Sequence, residues 1–196
     1  MVTRARNAPF RVYLKRPAQS GADAFIAAVT ASRKLHGPWV SAPATRAAYR
    51  QYVARFGKPL RTAAHAGFVA MRVEDDAPVG VLNLSEIVRG GFQSAYLGYY
   101  ALAPFAGQGY MTEALALVLD AAYREIGLHR VEANVQPDNH SSVRLVRRAG
   151  FTREGYSRRY VKIAGRWRDH VRFAMLAEDW PALRRKLLAR LAREPR

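Results

Sequence analysis

Between residues 93 and 122 an uncharged, tyrosine-rich run passes through a glycine turn straight into an amphipathic helix, and no other stretch of the chain leaves its fold fewer options. Met111, Ala114, Leu115, Val118, Leu119 and Ala122 recur at the three- and four-residue spacing of one apolar helix stripe. In the turn before it, Ala106-Gly107-Gln108-Gly109, glycine lets the backbone close around an anion. The helix entry adds unpaired N–H groups and a partial positive charge, so a pyrophosphate fits there. Two well-known nucleotide loops do not fit. A P-loop ends in Gly-Lys-Ser/Thr, whereas Gly109 is followed by Tyr110 and Met111; a dinucleotide fingerprint needs a third glycine at position 112, which is Thr112. Two readings stay open: a diphosphate site without a catalytic lysine, or a strand-to-helix turn that uses glycine for geometry alone.

The rest of the chain surrounds that passage with alternating elements. Helical spacing covers 23–33 and 46–56, joined by a turn through His36 and Trp39. Strand patterns cover 67–74 and 79–88 around an Asp75-Asp76-Ala77-Pro78 turn, and 93–102 is a third. The amphipathic helix stops at Gly127, and alternation over 130–136 marks a half-buried strand. A short helix follows, capped by Asp138 or Asn139 and stopped at Gly150. Two strands, 155–163 and 166–176, precede a last helix opened by Asp179-Trp180-Pro181. With no repeat or low-complexity linker, the pattern predicts one α/β (α+β) domain over 1–196, with a core at about 10–178 and a basic C-terminal helix at about 180–194. Its sheet is mixed, with helices on both faces.

Composition removes several function classes. There is no cysteine, hence no disulfide, thiolate nucleophile or Cys-ligated metal cluster, and a reducing cytosol is permitted. His36, His65, His129, His140 and His170 lack the spacing of a zinc helix and any accompanying acidic cluster, so no metal is expected. The first residues lack the apolar stretch of a signal peptide. The uncharged run 90–112 is broken by five glycines and Pro104, which argues against a membrane span. Cytoplasmic localisation is the expectation. The formal charge of +17 is uneven: residues 1–62 hold twelve basic and one acidic side chain, 63–137 four and eight, and 138–196 sixteen and six. Of 32 cations 27 are arginine, which suits phosphate-bearing partners; a solvated surface written in arginine accounts for them equally well.

Three segments together resemble a known family: the Gly107-Gln108-Gly109 loop before a helix, Gln136-Pro137-Asp138-Asn139-His140-Ser141-Ser142, and Arg147-Arg148-Ala149-Gly150-Phe151. They are similar to the acyl-CoA-binding half of the GCN5-related N-acetyltransferases (GNAT). Further segments, Ser32 to Trp39, Val88 to Tyr99, Glu154-Gly155-Tyr156 and Gly165 to His170, resemble the RimJ/RimL-type branch, which acetylates the N-terminal alanine of a ribosomal protein. The resemblance implies a twisted sheet of about seven strands, splayed between the fourth (93–102) and the fifth (130–136). It implies acetyl-CoA as acyl donor, with pantetheine against the backbone of Tyr100, Leu102 and Ala103, and diphosphate on the N–H groups of Ala106, Gly107, Gln108, Gly109, Tyr110 and Met111. Asn139 is the implied side-chain contact. Arg144, Arg147 and Arg148 share a helix face, and Arg144 and Arg148 are taken as partners of the CoA 3′-phosphate. His36 and Trp39 border the implied acceptor groove. Two departures stand out: Pro104 occupies a place where relatives carry Gln or Arg, and Val146 one where many carry a proton-donating tyrosine.

Direct acyl transfer needs a neutral amine, a polarised carbonyl and a proton for the departing thiolate. With a pKa near 7.7–8, roughly one N-terminal amine in ten is neutral at pH 7, against about one lysine in 2,500. A weak base is then sufficient. Glu86, the only acid in the third strand, is the base candidate, with an exposed strand glutamate, or one paired to Arg89, as the alternatives. Ser142 is the first candidate for thiolate protonation, or else merely a helix cap, and Tyr156 is the second. Backbone N–H groups around Tyr100–Leu102 would meet the oxyanion. The expected activity is acetylation of a protein N-terminus, a ribosomal-protein alanine in the resembled branch, without an acyl-enzyme. Two rivals remain. One is the same fold acting on a small amine, with Asp75, Asp76, Glu86 or Glu132 making its pocket acidic. The other is an RNA- or ribosome-associated protein using its basic ends, including Arg184, Arg185, Lys186 and Arg190.

Overall fold

Seven strands join into one sheet of order β1-β2-β3-β4-β5-β7-β6 in the computed structural model, which describes residues 10–37 and 39–193. The reading of the first residues as free of a leader lies outside the described residues, as does Pro38 of the His36–Trp39 turn. β1 (Val12–Lys15), β2 (Ala66–Arg72), β3 (Pro78–Val88) and β4 (Ser94–Ala101) form an antiparallel meander. β5 (Arg130–Val135) lies parallel to β4, and β7 (Arg166–Leu176) sits between β5 and its own hairpin partner β6 (Thr152–Ile163). The mixed sheet is as predicted. The residue pattern alone marked no strand at 12–15, because four residues are too few to display a period.

Alternation along the strands feeds two cores. Leu82, Leu84, Leu97, Val131, Ala133, Val135 and Phe173 face α4 (Tyr110–Asp120), α5 (His140–Ala149) and α6 (Trp180–Leu191). Tyr13, Val69, Met71, Val81 and Tyr100 face α1 (Ala22–Ala31) and α3 (Arg46–Phe56). Truncating one of the fully buried leucines, Leu115 or Leu119 for example, costs about 2–5 kcal/mol. The helix predicted over 23–33 is two, α1 and the one-turn α2 (Arg33–His36). Between them the Ser32 hydroxyl donates back to the Ala28 carbonyl at 2.6 Å, a bond that competes with the helix ladder. Gly127 and Gly150, at φ 77° and 95°, supply the left-handed stops. Asn139, not Asp138, caps α5: its Oδ1 accepts from the Ser142 N–H at 3.1 Å.

One break in this sheet positions everything that follows. β4 and β5 are paired only from Ser94↔Arg130 to Tyr96↔Glu132. Beyond that point β4 stays bonded to β3 as far as Ala101, and β5 stays bonded to β7 as far as Val135. Each strand leaves with its own neighbour, and a wedge opens between them.

Candidate active site

A cavity of about 840 Å³ fills the wedge, within the size range of ligand clefts. It reaches both faces of the sheet, and each face contributes a different set of groups.

On the α4–α5 face the wall is mostly main chain. Gly109, at φ 86°, is the N-cap of α4, and Gly107, at φ 82°, precedes it. Both backbone conformations are strained for any residue with a Cβ. The N–H groups of residues 106–111 donate to no acceptor among the described residues, whereas those of Thr112 and Glu113 already reach the Gly109 carbonyl. Six amides therefore converge on a helix entry with their hydrogen bonds unspent. The turn is held from below by a pair that sequence reasoning missed. Glu113, 1% exposed on the first turn of α4, accepts from the Arg11 N–H and from Arg11 Nε at 2.7 Å. Arg11 Nη2 also donates to the Gln108 carbonyl at 3.0 Å, and the guanidinium lies over the Tyr110 ring. An acid within a helix's apolar run was the available signal for Glu113; nothing local pointed to Arg11.

Above the turn Ser142, at the start of α5, meets Tyr99 of β4: the two hydroxyls are 2.5 Å apart, and Tyr99 also donates to the Ser142 carbonyl. Burial raises the Tyr99 pKa and the contact with Ser142 opposes it, so the phenol stays protonated at neutral pH. Arg144 and Arg148, one helical turn apart, line the cavity, while Arg147 does not. Asn139 lines it too, with its Oδ1 engaged in the cap.

On the opposite face the wall is side chain. His36, Trp39, Tyr96, Tyr100, Asn134, Tyr160 and His170 all line this half. His36 Nε2 donates to the Ala101 carbonyl at 3.0 Å, and its ring meets Tyr100 edge-on. The Tyr100 hydroxyl and Asn134 Oδ1 are buried without a partner. Burial and a hydrogen bond with Tyr96 push the Tyr160 pKa up to about 12. His170 is 4% exposed; its Nδ1 donates to the Arg168 carbonyl at 3.0 Å, and burial lowers its pKa. Among the described residues no aspartate or glutamate lines the cavity.

Several sequence expectations are corrected by this arrangement. Glu86 sits at an irregularity of β3 with φ 50°, its side chain 60% exposed and 3.4 Å from Arg55, away from the cavity and not beside Arg89. Tyr156 donates to Asp169 at 2.5 Å on the exposed part of the hairpin and lines no part of the cavity. Asp75, Asp76 and Glu132 do not line it either. The Leu102 N–H is taken by the Val79 carbonyl and the Ala103 N–H by Ser32 Oγ, so neither is open to a cofactor amide. Backbone groups alternate sides along a strand. With Leu102 bonded to β3, those of Tyr100 also turn to β3, and the groups facing the wedge belong to Tyr99 and Ala101. Gln108 and Tyr110 belong to the turn but do not line the cavity. Arg184, counted among the free basic residues, bonds Asp120 at 2.8 Å. Among the described residues no three potential metal ligands cluster, and no helix is long and apolar enough to cross a membrane.

A model of the acetyltransferase (GNAT) domain family matches residues 11–152. The chain is 44% identical over 112 residues to YjcK of Bacillus subtilis (strain 168), named a probable N-acetyltransferase, covering 57% of this chain and 62% of that one. It is 43% identical over 102 residues to the [ribosomal protein uS5]-alanine N-acetyltransferase of Escherichia coli (strain K12), covering 52% and 53%. The match thus spans little more than half of either relative. Among solved structures, Mycobacterium smegmatis RimJ in complex with CoA-disulfide superposes with a TM-score of 0.82 at 28% identity, over 92% of this chain and 90% of that one.

Proposed function

This chain belongs to the GNAT acetyltransferase family, and from that premise we propose that it acetylates the α-amine of a protein N-terminus, taking the acetyl group from acetyl-CoA by direct transfer in a ternary complex. The observation that carries this reading is the set of unspent N–H groups at residues 106–111, in a turn whose Ala106, Gly107, Gly109 and Met111 line a cavity reaching both faces of the sheet. The residues fit a coenzyme A diphosphate. The amides supply its donors, Gly107 and Gly109 keep the space that a Cβ would fill, and Arg144 and Arg148 offer charge for the 3′-phosphate. Acetyl-CoA would supply an activated acyl group at the wedge. Tyr99 and Ala101 offer the main-chain groups along it, and Ser142, replenished by Tyr99 across their 2.5 Å contact, holds the proton for the departing sulfur. With no cysteine in the chain, transfer proceeds without a thioester on the enzyme.

The acceptor follows from the opposite wall. A cavity lined by no carboxylate among the described residues gives no counter-charge to a polyamine or a cationic antibiotic, but it receives an amine that is already partly neutral at pH 7. The Escherichia coli relative is named for an alanine of ribosomal protein uS5. A small N-terminal residue, such as the alanine of a ribosomal protein, is accordingly the proposed acceptor here. Labelled acetyl-CoA presented with peptides bearing a free N-terminus, N-blocked peptides with an internal lysine, and spermidine tests it. Label should enter the free N-terminus with intersecting initial-velocity lines. Preference for lysine or spermidine, or parallel lines, would overturn it.

A further inference from the structure

The acceptor wall holds two side chains with unused capacity to accept a hydrogen bond from an amine, and they stand next to each other. Asn134 of β5 is opposite Arg172 of β7, and His170 lies two residues along β7 on the same face, a diagonal neighbour at roughly 7–8 Å between backbones, close enough for both to reach one ligand atom. Val131, Ala133 and Val135 occupy the other face of β5, in the core under α4 and α5, so Asn134 is directed to the acceptor side. Both residues line the cavity, and Asn134 Oδ1 is buried without a partner.

We propose that Asn134 and His170 form the amine-receiving pair of this enzyme, Asn134 holding one N–H of the acceptor through Oδ1 and His170 Nε2 accepting the proton that the nitrogen must lose. The tautomer is set by the backbone: Nδ1 is the donor to the Arg168 carbonyl, which leaves the lone pair on Nε2, at the far end of the ring. His36, the other imidazole in the cavity, is arranged the opposite way, with Nε2 spent on the Ala101 carbonyl and only the nitrogen nearest its own main chain left over. Burial keeps the His170 ring neutral near pH 7. Of the surrounding groups, the Asp169 carboxylate and the bond to the Arg168 carbonyl pull the other way, and burial outweighs both. Tyr160 of β6 packs edge-on at 5.9 Å and is protonated. Asp169 is engaged by the Tyr156 hydroxyl and the Arg159 N–H. The Arg172 guanidinium lies against Gly155, and Glu132 is bonded to Arg130.

The step balances. The neutral amine forms a C–N bond with the acyl carbon, the N–H proton passes to His170 Nε2, the C–S bond breaks, and the sulfur takes a proton from Ser142. His170 returns its proton to water, and Ser142 recovers one from water relayed through the Tyr99 hydroxyl, so that the proton released and the proton taken up cancel and both hydroxyls end as they began.

This inference rests on the α-amine reading above, and its test separates the two. Wild-type enzyme is first assayed with a free-N-terminus peptide; failure to acetylate it sinks that reading, and this pair with it. With activity in hand, His170→Gln should lower kcat about 100-fold, within the usual range for a general base, with CoA affinity unchanged. Wild-type kcat should fall with acid through a group titrating below the usual histidine value, and that limb should vanish in the variant. Asn134→Ala should raise the peptide KM more than it lowers kcat. His170→Ala should recover single-turnover rate on addition of imidazole, a readout that a merely structural histidine would not give. An unchanged kcat in His170→Gln, an acid limb that persists in it, or no rescue by imidazole would each overturn the assignment.

Discussion

The two halves of the cavity are built from different material. Below α4 and α5 the groups that matter are main-chain amides, placed by two left-handed glycines and fastened by Arg11 and the buried Glu113 carboxylate. Across the sheet they are side chains of β4, β5, β6, β7 and α2, with Trp39 just beyond α2 and Tyr160 beside an irregularity of β6. A site made of backbone is indifferent to most side-chain replacements and intolerant of a Cβ in the wrong place. A site made of side chains is the reverse. On the proposed function, the contrast ties the half of the reaction that always sees the same donor to rigid main chain, and the half that selects an acceptor to replaceable side chains.

The largest effect should come from adding a Cβ where the backbone half cannot take one. Gly109→Val imposes a strained φ and brings the new carbon to 3.0 Å from Arg11 Nη2, so CoA affinity measured by calorimetry should fall about 100-fold or more. Unaltered affinity would mean that the diphosphate rests elsewhere. Next, Arg11→Ala leaves the buried Glu113 carboxylate with only the main-chain N–H of residue 11 and should cost about 1–3 kcal/mol in urea unfolding, with weaker CoA binding as the turn loosens. Adding Glu113→Gln to it should return much of that stability. A third, smaller separation lies within the chemistry. Ser142→Ala should slow single-turnover acetyl transfer about tenfold to 100-fold while CoA titrations stay at wild type, and Tyr99→Phe should act in the same direction. Smallest of all are two controls. Gln108→Ala, whose amide reaches only the Pro104 carbonyl, and Glu86→Gln, exposed beside Arg55, should leave CoA affinity and kcat within about twofold. A steep loss in Gln108→Ala would show that side chains share the work of the backbone half.

The same contrast explains what could be read in the sequence. Backbone geometry leaves a trace in residue type, so Gly107, Gly109, Gly127 and Gly150 announced the turn and the helix stops, and the apolar stripe from Met111 announced α4. The mixed sheet followed from alternation, except β1, which is too short to show a period. Side-chain convergence leaves no such trace. Glu86 was a reasonable base candidate by residue type and strand, but a left-handed φ at the β3 irregularity turns it toward Arg55. His170 and Asn134 meet only because β7 inserts between β5 and β6, a crossover that no local pattern reveals. Leu102 and Ala103 follow β4 directly in sequence but line no part of the cavity, and their N–H groups are spent on Val79 and on Ser32, which lies seventy-one positions before Ala103.

The division between the two halves can be seen directly by following backbone amide and imidazole NMR signals while each substrate is added alone. CoA should shift the amides of residues 106–111 strongly and leave the His170 ring nearly unmoved, whereas a peptide with a free N-terminal alanine should do the opposite. If CoA leaves the 106–111 amides where they were, or moves the His170 ring as much as it moves them, the two halves do not have the separate duties assigned to them.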